Sequence, residues 1–179
     1  MIQAKTFFGE SGKQFIPGIH TDVEFGGLEV TDKNAVAITF EKDGARVKQF
    51  LFEPTGTYPF GDESPEAAMK REQNNNLRHI TALMRTVLGD DVAYEVRGED
   101  YDDFVQKASA LLNPHIGFKV NLKLLPGRRE KQPVEVPRFP PKANGEGRYV
   151  EPYVIDSEAT LTYTEREQEA MDKWTRDNS

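Results

Sequence analysis

At 179 residues, with 37% apolar and 30% charged side chains, the chain has the length of one domain with an appended segment. It contains no cysteine, which excludes disulfide staples, thiolate metal sites and cysteine nucleophiles, and no apolar run approaches the ~18 residues that cross a bilayer. The net charge of −7 speaks against a nucleic-acid binder when read globally, but the charge is unevenly spread: residues 116–150 carry eight basic and three acidic side chains, and residues 151–179 carry three basic and eight acidic ones.

Met1–Phe8 has neither a long apolar stretch nor a small-residue cleavage site, so a cytoplasmic address is expected. From Ile19 to Phe25 apolar and polar residues alternate with period two, Gly26-Gly27 interrupts, and Leu28 and Val30 resume. This predicts a long first strand with a bulge or bend at the glycines. A second strand follows at Val36–Phe40, then a Lys42-Asp43-Gly44 hairpin turn, then a third strand from Ala45 to Phe52. Ser64-Pro65-Glu66 supplies a capping hydroxyl, proline at the first helical position and an acid in the first turn. The apolar stripe Leu77, Ile80, Leu83, Met84, Val87, Leu88 carries that helix to Gly89. A second helix is predicted at 100–112, stopped by Asn113-Pro114.

In the fourth strand, Phe118, Val120, Leu122 and Leu124 face one way and Lys119, Asn121 and Lys123 the other. Residues 126–147 read as a long loop with five prolines, and 148–155 as a short last strand. Thr164-Glu165-Arg166-Glu167 has capping-box spacing and opens a short helix toward Trp174. The order fits a mainly β fold with a helical insertion: a five-stranded barrel of the oligonucleotide-binding (OB) type, its helices between strands three and four. Another α+β fold with the same order remains open. The expected boundaries are a binding domain at 1–155, its insertion at about 64–112, and an acidic C-terminal tail at 156–179.

No catalytic motif emerges, and no cofactor, metal site or enzyme activity is expected. His20, His79 and His115 lack ligand spacing and read as surface or partly packed histidines; the acids at 99–103 read as helix caps. The third strand is more informative, because Arg46, Lys48, Phe50 and Phe52 share one face. Cations that meet phosphates beside rings that stack on unpaired bases suit single-stranded nucleic acid. The competing reading places Phe50 and Phe52 in the core. Lys119, Lys123, Arg128, Arg129, Lys131, Arg138, Phe139, Arg148 and Tyr149 extend the same chemistry into the basic segment, where the loop between the last strands of such a barrel touches its ligand. The competing reading there is a proline-rich loop kept in solution by its charges. Trp174, ringed by acids, is the candidate anchor for a partner protein.

The stretches Phe15-Ile16-Pro17-Gly18-Ile19-His20 and Ala37–Gly44 resemble the opening of bacteriophage single-stranded-DNA-binding proteins with an OB barrel. Val120–Leu124, Val136–Pro140 and Tyr149–Pro152 resemble their last two strands, and the acidic end is similar to tails that recruit replication proteins. The resemblance implies sequence-tolerant binding and protection of single-stranded DNA during phage replication or recombination, with no membrane partner and no catalysis. The alternative is a protein-interaction or virion-assembly module that uses the helices at 64–112. The oligomeric state stays open.

Overall fold

The computed structural model describes residues 13–179; the Met1–Phe8 stretch lies outside them. Three antiparallel strands come first: β1 (Gly18–Val30), β2 (Val36–Lys42) and β3 (Ala45–Leu51). Helices α1 (Pro65–Leu88), α2 (Asp90–Glu95) and α3 (Tyr101–Leu112) follow, then β4 (Lys119–Pro126), β5 (Val134–Glu135), β6 (Val150–Pro152) and α4 (Glu165–Asp177). The fold is thus mixed α/β. The sheet runs β3-β2-β1-β4-β5, with β6 also paired to β4.

β1 is shared between two neighbours. Gly18–Glu24 pairs with β4 and Glu24–Val30 pairs with β2, and the register shifts between Phe25 and Gly27. The predicted glycine bend lies at that shift: Gly27 has φ +115°, a conformation that disfavours side chains. Beyond it β4 no longer reaches β1, and the Asn113 side chain takes over, accepting from Leu28 N–H (2.8 Å) and donating to Leu28 C=O (2.9 Å). A buried edge is thereby satisfied without a strand.

The expected five-stranded barrel gives way, among the described residues, to an open sheet of six strands. β3 and β5, at the two ends of the path, approach within 8 Å but form no ladder. The cause is local: β5 has only two residues, and Pro126, Pro133 and Pro137 surround it without ladder donors. The segment read as one long loop therefore contains a hairpin, with Leu125 opposite Glu135. β5 and β6 share one edge of β4, like a single strand interrupted by an excursion at 136–149.

The helices follow their sequence signals. Ser64 accepts from Ala67 N–H at the start of α1, and Ile80, Leu83, Met84 and Val87 bury its apolar face. Gly89 (φ +90°) ends α1, and the short α2, absent from the sequence reading, starts directly after it. Asp100 caps α3 through Asp103 N–H. The core joins Phe25, Ile38, Phe40, Leu122 and Leu124 of the sheet to Ile80, Leu83 and Leu112 of the helices, each fully buried side chain contributing roughly 1.5–3 kcal/mol. Among the described residues, no helix is long and apolar enough to cross a membrane.

The C-terminal segment is part of the fold. Thr164 and Glu167 form the predicted capping box, and α4 packs on β4. Glu167 Oε1 lies 2.6 Å from Lys123 Nζ, which also donates to Thr162 C=O at 2.8 Å.

Candidate nucleic-acid interface

β3 alternates strictly. Val47, Gln49 and Leu51 point inward, and Arg46, Lys48 and Phe50 point outward, with Phe52 next along the chain. Phe50 and Phe52 are 44% and 70% exposed, so the core reading of these rings is set aside. Their rings stack with centroids 6.4 Å apart and planes 17° from parallel. Arg46 pairs with Glu41 at 2.7 Å and Lys48 reaches Glu29 at 3.9 Å. Exposed pairs of this kind contribute only ~0–1 kcal/mol, so a phosphate can replace either carboxylate at small cost.

The segment after β3 continues the aromatic display. Tyr58 is 77% and Phe60 68% exposed. This loop is held firmly against α1. Asn76 donates to Phe52 C=O, the Glu72 carboxylate accepts from Thr55 and Gly56 N–H, and Arg71 donates to Tyr58 C=O. Arg71 also pairs with Glu63 and lies 3.7 Å over the Phe60 ring. The sequence pattern passes over Tyr58 and Phe60 because Pro54, Gly56, Pro59 and Gly61 interrupt any strand or helix period there. Their signal was composition: two aromatic residues inside a turn-forming stretch.

The cations of the basic segment sit in distinct environments. Lys119 sits between Asp22 (3.4 Å) and Glu24 (3.0 Å), and the Glu24 hydrogen bond holds its ammonium above the ordinary lysine range. Lys123, expected beside it on an open face, has no exposed surface: α4 covers that face, and the cation is committed to Glu167. In the β4–β5 hairpin, Arg128 pairs with Glu135 at 2.8 Å, while Arg129 and Lys131 are exposed. Arg148 donates to Thr160 Oγ1 and reaches Glu151 at 3.7 Å.

Tyr149, expected as a stacking ring, belongs to the core instead, 1% exposed. Its hydroxyl lies 2.8 Å from His79 Nδ1 and accepts from Gln49 Nε2 at 3.0 Å. His79 Nε2 donates to Arg138 C=O at 2.9 Å. His79, read as surface or partly packed, is thus the hub of a buried network; desolvation pushes its pKa down to about 4. The network ties α1, β3 and the approach to β6 to the segment that bears Arg138 and Phe139.

That segment forms one wall of a cleft of about 640 Å³, and the first turns of α4 form the other. Phe139 is 60% exposed within it. The guanidinium groups of Arg138 and Arg166 lie 5.3 and 5.9 Å from the ring centroid. Trp174 is half-buried further along α4. Among the described residues, no group of three or more His, Asp or Glu side chains is placed to hold a metal ion.

The chain matches no protein-family profile, no curated protein and no solved structure.

Proposed function

We propose that this protein binds single-stranded DNA without sequence preference, protecting exposed strands during bacteriophage replication or recombination, and that it does so without catalysis. The observation that carries this reading is the outward row of β3. Two large rings are held in solvent beside two cations, although burying each ring would gain roughly 1.5–3 kcal/mol. An exposed apolar cluster of this kind is a mark of binding, and flat rings among cations suit unpaired bases and their phosphates.

The topology supports an OB-like reading, with the barrel left open between β3 and β5. A meander, a bent β1 shared by β2 and β4, and helices between the third and fourth strands are features of that fold. The exposed cations of the β4–β5 hairpin then fall where such a fold carries a ligand-touching loop. The acidic face of α4, with Trp174 beside it, suits a basic surface on a replication protein.

The test is fluorescence anisotropy with oligo-dT at several salt concentrations. Neutralisation of about five phosphates gives a log–log salt slope of roughly −3.5. Duplex DNA is expected to bind more weakly, and replacing Phe50 and Phe52 with Ala should lower oligo-dT affinity. Binding without salt dependence, or equal affinity for duplex, would contradict the reading. No oligonucleotide binding together with a stable oligomer in light scattering would favour an assembly role instead.

A further inference from the structure

We infer that the cleft between residues 125–147 and α4 is a second nucleic-acid station, taking one nucleotide with its base on Phe139 and its phosphate between Arg138 and Arg166. This inference rests on the single-strand reading above and extends it to a part of the molecule distant in sequence from β3.

Size and lining come first. At about 640 Å³ the cleft falls within the ~300–1,000 Å³ of ordinary ligand sites, and Leu125, Pro126, Pro137 and Pro140 give it apolar walls. Its charges sort by commitment. Arg128 is paired with Glu135, Lys142 with Glu146, and Glu167 with buried Lys123. Among the described residues, neither Arg138 nor Arg166 has a carboxylate partner within ion-pair distance, and both converge on the same ring. A ligand that offers a flat π-system and an anion satisfies this set, and a nucleotide has both. Glu165 and Glu169 also line the cleft, so the attraction is local to the two arginines rather than general to the wall.

Both walls are built to hold still. The Arg138 carbonyl is fixed by His79 within the buried network, and Arg78 donates to Pro141 C=O at 2.6 Å. The opposite wall is fixed by the buried Lys123–Glu167 pair. The site is therefore present before the ligand arrives, which lowers the ordering cost of binding. β5 connects it to the β3 row: the strand lies beside β3, and its Glu135 lines the cleft. In this arrangement the C-terminal helix contributes Arg166 to the grip on the strand.

The experiment compares wild type, Phe139→Ala, Arg166→Ala and the Phe50→Ala/Phe52→Ala pair by oligo-dT anisotropy over a salt series, with circular dichroism as the folding control. Titration with dTMP by calorimetry forms a separate arm. Phe139→Ala should weaken oligo-dT binding about fivefold or more, and Arg166→Ala should flatten the salt slope by about 0.7. Binding of dTMP that Phe139→Ala abolishes would mean the cleft also accepts free nucleotides; silence with dTMP alongside the oligonucleotide losses would restrict it to strands. If the Phe50/Phe52 variant loses affinity while Phe139→Ala and Arg166→Ala match wild type in affinity and slope, the cleft proposal is overturned and the β3 reading stands. Failure of wild type to bind either probe overturns both.

Discussion

Replacing Glu167 with Gln isolates the charge that α4 brings to the sheet. Lys123 is fully buried at the centre of β4, and its ammonium has two oxygen partners, the Glu167 carboxylate at 2.6 Å and the Thr162 carbonyl at 2.8 Å. Gln keeps the size of the side chain and the capping-box acceptor for Thr164 N–H, so the helix start survives. The anion is what disappears. Removing one member of a buried pair typically costs 3–5 kcal/mol, because the remaining charge is left without compensation. At 2–4 °C per kcal/mol for a chain of this size, the melting temperature should fall by roughly 6–20 °C. Adding Lys123→Met removes the stranded cation, so the double variant should recover much of that loss, with a coupling of about 2 kcal/mol or more. Trp174, the only tryptophan, lies on α4 and reports by its emission whether the helix undocks before the sheet melts. A Glu167→Gln melting temperature within about 1 °C of wild type, or losses that simply add in the double variant, would refute the argument.

Acid should act through His79. Burial lowers its folded pKa from 6.5 to about 4, so the folded state resists a proton that the unfolded chain accepts. Its contribution is complete above about pH 6.5 and is lost as pH falls toward 4, on the order of 3 kcal/mol in total. His79→Gln should flatten the stability–pH curve in that window relative to wild type; parallel curves would exclude the role. Gly56→Ala should destabilise by about 2–4 kcal/mol in chemical denaturation, because φ is +71° and the new Cβ would clash with the Pro65 carbonyl oxygen; wild-type stability would show that the loop yields freely. Replacing Arg129 and Lys131 with Ala should reduce the oligo-dT salt slope by about 1.4, and an unchanged slope would remove the hairpin from the phosphate contacts.

Much of the architecture was readable from local signals. Period-two alternation located β1 to β3, the Gly26-Gly27 pair marked the bend of β1, and Ser64-Pro65-Glu66 and Thr164–Glu167 marked two helix starts. The outward face of β3 followed from the same alternation, although alternation alone could not decide whether Phe50 and Phe52 met solvent. Lys123 and Tyr149 show the limit of the method. Period two separates the two faces of a strand but does not reveal that a helix 44 residues later covers the second one. A lysine on that face therefore looked free, and its acid partner lay in a segment read as a tail. Tyr149 and His79 have the same explanation, since a partner 70 residues away leaves no local trace. β5 escaped notice because two residues are too few to show any period, and the prolines around it resemble loop composition.

The pairing of Lys123 with Glu167 also orders events during synthesis. By the time β4 leaves the ribosome its lysine is already in place, but the neutralising acid is encoded later. Until residue 167 emerges, that side of the sheet must stay hydrated, so burial of the lysine waits on α4 even though most of the core residues named above are already translated.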